Sequence, residues 1–209
     1  NFSTPQEMTA NLFGTLSGFP CCTSNMHQGW PKFTQNLWYA TSDKGIAALS
    51  YAPSVVRVNI ADGIRIKIEE ETAYPFEEKI RFKITLLDQT VSSALFPFHL
   101  RIPSWCKQPQ ILVNGTTVKT DTVNGISIIQ RTWKNGDVVE LKLPMHVNVT
   151  YWYDNAAVIN HGPLLYALKM EENWQKVKFE DKKKGQKFGE WYYEVTSESA
   201  WNFALPKKN

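Results

Sequence analysis

The chain has 209 residues and a formal net charge of +3, with 23 basic residues against 20 acidic ones. That length holds one large β domain or two small ones, each able to bury a core. The near balance of charge gives no electrostatic reason for a nucleic-acid or membrane partner.

Aromatic residues make up 13% of the chain, a share that suits a sandwich core and also a carbohydrate-handling protein, with core packing the expected use of most. No apolar run approaches the roughly 20 residues needed to span a bilayer. Residue 1 is Asn, with no basic and apolar leader behind it, so the sequence reads as a processed product or a fragment. The three cysteines are too few and too clustered for a disulfide framework, so Cys21 and Cys22 are expected to stay reduced or to bind metal. Cys106, alone after Trp105, is expected to be a buried small hydrophobe.

Taken in order, residues 1–20 mix Ser, Thr, Asn, Gly and Pro and read as loop with a short helical piece. Residues 18–25 then set two adjacent thiols, Cys21 and Cys22, at the mouth of a helix. Thr23, Ser24 or Asn25 can cap that helix, and Met26, Trp30, Phe33 and Leu37 recur at the spacing of one helical face. Pro31 predicts a kink or a restart, with the proline in the first turn of the second piece. The helix is predicted to end near Tyr39 to Ser42.

From Lys44 onward the period changes from 3.6 to 2. Ile64, Ile66 and Ile68 alternate with Arg65, Lys67 and Glu69, and Ile80, Phe82, Ile84 and Leu86 alternate with Arg81, Lys83 and Thr85, the pattern of strands buried on one face. Ala61-Asp62-Gly63 and Tyr74-Pro75-Phe76 punctuate them as turns. Asn114-Gly115, Asn124-Gly125 and Asn135-Gly136-Asp137 then recur about every ten residues, the rhythm of an all-β sandwich. Residues 138–149 predict a long strand bent at Pro144, and residues 156–168 another, interrupted by His161-Gly162-Pro163. Residues 171–190, centred on Lys182, Lys183 and Lys184, read as a solvated linker. Trp191, Tyr192, Tyr193 and Trp201 suggest strands of a further sheet.

Chemistry points to the two thiols. A position just before a helix N-terminus feels the positive end of the dipole, which favours thiolate over thiol and so a nucleophile or a metal ligand. Two small buried residues, or a strained vicinal disulfide, are the other readings. A zinc site needs about four ligands, and neither a second Cys-x-x-Cys nor a His-x-x-x-His is present. His27 suits either a ligand contact or a structural role. Glu69, Glu70, Glu71, Glu77 and Glu78 lie on or beside an alternating strand and are expected to form a solvated face. No Gly-rich phosphate loop appears, and without a Gly-x-Ser-x-Gly elbow a serine hydrolase has no support.

The run from Cys21 to Gln35, Cys-Cys-Thr-Ser-Asn-Met-His-Gln-Gly-Trp-Pro-Lys-Phe-Thr-Gln, resembles the cysteine motif of the β-L-arabinofuranosidase family, glycoside hydrolase family 127 (GH127) and its relatives. Later blocks are similar to its sandwich region in the same order: Leu100-Arg101-Ile102-Pro103-Ser104-Trp105, Val113-Asn114-Gly115, Trp133-Lys134-Asn135-Gly136-Asp137 and Gly162-Pro163-Leu164-Leu165-Tyr166. The likeness runs over about residues 10–170, and Trp201-Asn202-Phe203-Ala204-Leu205 resembles a later piece. Thr23-Ser24 departs from the Pro pair that some members carry there.

The resemblance implies a mainly β chain: an antiparallel, jelly-roll-like β-sandwich preceded by one helix, the last of an (α/α)6 catalytic barrel. Residues 1–43 would end that barrel, 44–170 form the sandwich, and 171–209 hold a linker and the start of a further β region. It also implies a bacterial, retaining glycosidase acting on an arabinose-containing glycan, with Cys21 as nucleophile, Cys22 as a zinc ligand and both sulfurs on the metal. The remaining zinc ligands, a Glu and a Cys, and the acid/base Glu would lie upstream, leaving this chain inactive alone. A periplasmic or secreted setting is favoured over the cytoplasm. Two other readings stand beside it: a non-catalytic carbohydrate-binding or structural sandwich with inert cysteines, and a zinc-stabilised interaction module.

Overall fold

The computed structural model describes residues 27–60, 63–178, 191–200 and 203–204. Cys21 and Cys22, the capping candidates Thr23, Ser24 and Asn25, the lysine run at 182–184 and Trp201 lie outside the described residues, as do Ala61 and Asp62 of one predicted turn. Thr34–Tyr166 forms one compact unit, and the other described residues belong to a second. Among the described residues no helix is long and apolar enough to cross a membrane.

The period-2 pattern becomes two facing sheets. Strands β1 (Trp38–Ala40), β2 (Ile46–Ala48), β6 (Ser93–Arg101), β10 (Ile126–Lys134) and β9 (Thr122–Val123) form one, in the order β1-β2-β6-β10-β9. Strands β3 (Ser54–Ile60), β4 (Ile64–Thr72), β5 (Lys79–Leu86), β11 (Val138–Lys142), β7 (Gln110–Val113) and β8 (Thr116–Thr117) form the other, in the order β3-β4-β5-β11-β7-β8. All pairings are antiparallel except β2 with β6. The protein is thus the mainly β, antiparallel sandwich that the alternation predicts.

Side chains from the two inner faces interdigitate. Phe82 of β5 meets Phe98 of β6 edge-on at 5.2 Å and Trp38 at 5.8 Å. Trp133, fully buried, donates its indole N–H to the Phe96 carbonyl at 2.9 Å, so its one polar atom is satisfied inside the core. Two Asn-Gly pairs close hairpins with both residues at positive φ, Asn114 and Gly115 at 51° and 79°, Asn124 and Gly125 at 52° and 77°. That twist matches the right-handed strands on either side. The parallel β2–β6 pair depends on another glycine: a Cβ on Gly45 would lie 2.2 Å from the Pro97 carbonyl oxygen.

Several elements depart from the sequence expectation. The helix, α1, spans only Gly29–Gln35 and buries none of its residues. Pro31 sits in its first turn, where a missing N–H costs nothing, but the predicted face is not a core face: Trp30 and Phe33 are exposed and Leu37 is buried beyond the helix. The chain extends at Trp38 because that indole stacks on Phe98 and its N–H reaches the Ser54 hydroxyl at 3.0 Å. The long strand predicted at 138–149 is two strands. Pro144 brings no N–H to the ladder, and β12 (Val147–Tyr151) pairs instead with β13 (Ala157–His161). His161-Gly162-Pro163 does not interrupt a strand but turns β13 back onto β14 (Leu164–Tyr166). Within the predicted linker, β15 (Asn173–Lys178) is a strand paired with β16 (Trp191–Thr196).

Glu70 corrects the reading of the glutamates as one solvated face. Glu69 and Glu71 do point outward, to Lys67 at 2.9 Å and Arg81 at 2.7 Å. Glu70 shares parity with Ile64, Ile66 and Ile68 and is only 3% exposed. Its carboxyl oxygens take the Ala52 N–H at 3.1 Å and the Ser54 hydroxyl at 3.0 Å. Trp38, Ser54 and Glu70 therefore form one polar relay that ties the start of β3 to both sheets. Burial pushes this carboxyl up from an ordinary 4.5 to about 8, against the opposing hydrogen bonds from Ser54 and Ala52.

Two outcomes are expected. Gly45→Ala should lower stability by roughly 2 kcal/mol or more in urea unfolding, because backbone of the neighbouring strand cannot yield; an unchanged midpoint would show that β2 is not held so close. Between about pH 4.5 and 8 the folded state alone keeps the Glu70 proton, so stability should fall across that window, on the order of a few kcal/mol. Glu70→Gln should flatten this slope, and a profile that keeps its slope after the substitution contradicts the assignment.

Candidate functional site

The site residues drawn from the sequence, Cys21 and Cys22, lie outside the described residues. His27 is described and exposed, just before α1. Among the described residues no group of three or more His, Cys, Asp or Glu side chains is gathered as a metal site. Trp30 and Phe33 stand edge-on at 6.4 Å on α1, both open to solvent.

The later sequence blocks turn out to be mostly corners. Asn114 donates its amide to Asp137 at 2.8 Å and accepts the Val138 N–H at 2.8 Å, while Asp137 also accepts the Lys134 N–H at 2.9 Å. The Val113-Asn114-Gly115 and Trp133 to Asp137 blocks are thus one cross-linked corner at the end of β10 and β11. Side-chain carbonyls and carboxylates there satisfy backbone donors that the turns leave without ladder partners. Gly162, at φ 57°, forms the turn of the Gly162 to Tyr166 block.

The block Leu100 to Trp105 behaves differently. Leu100, Ile102 and Pro103 are buried, and Arg101 and Ser104 point the other way. The strand end is fixed by the Tyr51 hydroxyl donating to the Arg101 carbonyl at 2.6 Å and by the Ile102 N–H donating to Gly125 at 2.7 Å. An open depression of about 930 Å³ lies over this end of the first sheet, walled by the 101–107 segment, Asn36 and Tyr39, Leu49 and Ser50, and the β9–β10 hairpin. Its lining is mixed: Tyr39, amides from Asn36 and Asn124, hydroxyls from Ser50, Ser104 and Thr122, and two cations, Arg101 and Lys107.

Arg101 donates to the Leu49 carbonyl at 3.3 Å and Lys107 to the Ser104 carbonyl at 3.0 Å. Tyr39 donates its hydroxyl to the Asn36 side chain. Asp43, which accepts from Thr41 and meets His99 at 2.9 Å, has its carboxyl held below the usual range by the Thr41 hydroxyl first and His99 after it. This pair fixes the β1–β2 hairpin to β6 and does not line the depression. Cys106 is 6% exposed, and burial pushes its thiol up, so it stays protonated and unreactive, as its isolated place in the sequence predicts. Glu70 does not line the depression either. Sequence reasoning missed Arg101 and Lys107, quoting the first only as part of a motif; the outward parity of Arg101 between buried Leu100 and Ile102 is the signal that marks it.

Residues 45–145 match the family model described as "Beta-L-arabinofuranosidase, GH127 middle domain". No curated protein sequence matches the chain. Among solved structures, the GH127 β-L-arabinofuranosidase of Geobacillus stearothermophilus T6 is similar with a TM-score of 0.63 and 24% identity, over 90% of this chain and 32% of its own. A protein described as a glycoside hydrolase gives 0.68 and 22%, over 100% and 38%, and a GH127 β-arabinofuranosidase gives 0.61 and 22%, over 85% and 32%. These likenesses are of fold, and the chain spans about a third of the length of each of those proteins.

Proposed function

We propose, from the match of residues 45–145 to the GH127 middle-domain model, that the protein is part of a retaining glycoside hydrolase acting on β-L-arabinofuranosyl or similar glycosides. The observation that supports this best is the conjunction of that domain with the cysteine motif of the same family, which ends at Gln35, ten residues before the match begins. Cys21 is the nucleophile in this reading and Cys22 its metal-binding neighbour.

Two adjacent thiols are a donor set that suits zinc, which prefers soft sulfur ligands, but two sulfurs do not complete a tetrahedral site. By the family's pattern the other ligands and the acid/base Glu lie upstream of Cys21. Zinc, when bound, holds both sulfurs as thiolates at neutral pH. Cys21 Sγ then attacks the anomeric carbon while the glycosidic C–O bond breaks, and the acid/base carboxyl gives its proton to the leaving oxygen. The resulting thioglycoside is displaced by water, which gives its proton to that same carboxylate, and the thiolate leaves. Two inversions retain the anomeric configuration.

In the full-length protein, Cys21→Ala should lower kcat/KM on an aryl β-L-arabinofuranoside by at least about a thousandfold. It should also abolish covalent labelling by a substrate-like electrophile. Turnover or labelling that survives the substitution overturns the proposal. The 209-residue chain by itself should show no turnover and lose its zinc on dialysis, and stoichiometric zinc retained there would contradict the incomplete site.

A further inference from the structure

The depression beside Arg101 is a concentration of positive charge with no acid in it. Arg101 and Lys107 both line it, and among the described residues no Asp or Glu does. Four other cations of the sandwich meet carboxylates: Arg65 with Asp88 at 2.7 Å, Lys67 with Glu69 at 2.9 Å, Lys79 with Glu140 at 2.9 Å and Arg81 with Glu71 at 2.7 Å. Among the described residues Arg101 and Lys107 have carbonyl partners alone. The carboxylate reaching β6 two positions before Arg101, that of Asp43, is taken up by His99 and Thr41.

We propose that this depression is a carbohydrate subsite for an acidic sugar, a uronate-type residue whose carboxylate lies between Arg101 and Lys107. A guanidinium offers a planar pair of donors that matches a carboxylate, and its single carbonyl contact leaves donors for that purpose. Tyr39, 42% exposed, lines the depression and supplies an aromatic ring against which a pyranose can pack. Asn124, Ser50, Ser104 and Thr122 supply the alternating donors and acceptors that sugar hydroxyls require. The depression, about 930 Å³ and open to solvent, has room for a small ligand. Two cations beside amides, hydroxyls and one aromatic ring suit a single carboxylated saccharide, whereas a polyphosphate chain calls for an extended basic track. The subsite is independent of the thiolate chemistry proposed above, because its readout is binding.

Titration of the full chain with trigalacturonic acid, with neutral galactotriose and with inorganic phosphate tests this by calorimetry. The acidic trisaccharide should bind several-fold more tightly than the neutral one, by a margin that shrinks as salt rises. Lys107→Ala and Arg101→Lys should each weaken it roughly two- to fivefold, the size of an exposed ion pair, with unchanged melting temperature. Lys79→Ala, whose lysine pairs with Glu140 outside the depression, should leave it unchanged. Equal binding of acidic and neutral sugar, indifference to Lys107→Ala, or no binding of any probe overturns the subsite. Phosphate binding as tight as the trisaccharide would make it an ion site only and overturn the saccharide assignment.

Discussion

The structure depends on one wedge of aromatic rings between the two sheets. Phe82, from the middle of one sheet, packs edge-on against the stacked rings of Trp38 and Phe98 of the other and also lies 6.1 Å from Tyr51. Trp133 closes the layer against Phe96 and Phe98 at 5.7 Å and 6.2 Å. Each ring buries a large apolar area, and edge-on pairing adds directional preference to that burial. The wedge explains why the chain leaves α1 so early. Trp38 stabilises the fold as a strand residue inside this layer more than as another turn of an exposed helix, since an isolated helix of seven residues is marginal in water.

The same layer sets the position of the outer surface. Tyr51 belongs to the aromatic cluster, and its hydroxyl, which burial keeps protonated, holds the Arg101 carbonyl. With that carbonyl fixed and Leu100 and Ile102 buried, strand alternation sends the Arg101 side chain outward into the depression. Trp38 acts likewise on the other side, through Ser54 to Glu70. A carboxyl among isoleucines is tolerated because it remains neutral near pH 7 and both its oxygens accept hydrogen bonds. The core thus fixes two polar features of the sandwich, one buried and one facing solvent.

Much of this was legible in the residues. Period-2 alternation placed β4 and β5, and the Asn-Gly pairs placed their hairpins, because side-chain parity and positive φ are local properties. The family likeness was legible for a related reason: two of the quoted blocks meet at one corner, where Asn114 and Asp137 satisfy backbone groups. Parity would also have put Glu70 on the inner face, had the preference of carboxylates for water not been given more weight than its position after Ile68.

By itself the sequence determined the fold class, the strands with one buried face, the inert Cys106 and the family likeness of the sandwich. Each follows from neighbours along the chain or from composition. Only the tertiary structure decided where α1 stops, that residues 138–149 divide between two sheets, that Gly45 must lack a side chain, and that Arg101 and Lys107 share a depression without a carboxylate. These depend on contacts between residues far apart in sequence, Trp38 with Phe98, Gly45 with Pro97, Tyr51 with Arg101. Such contacts arise only when two sheets close on one another, and no local periodicity encodes them.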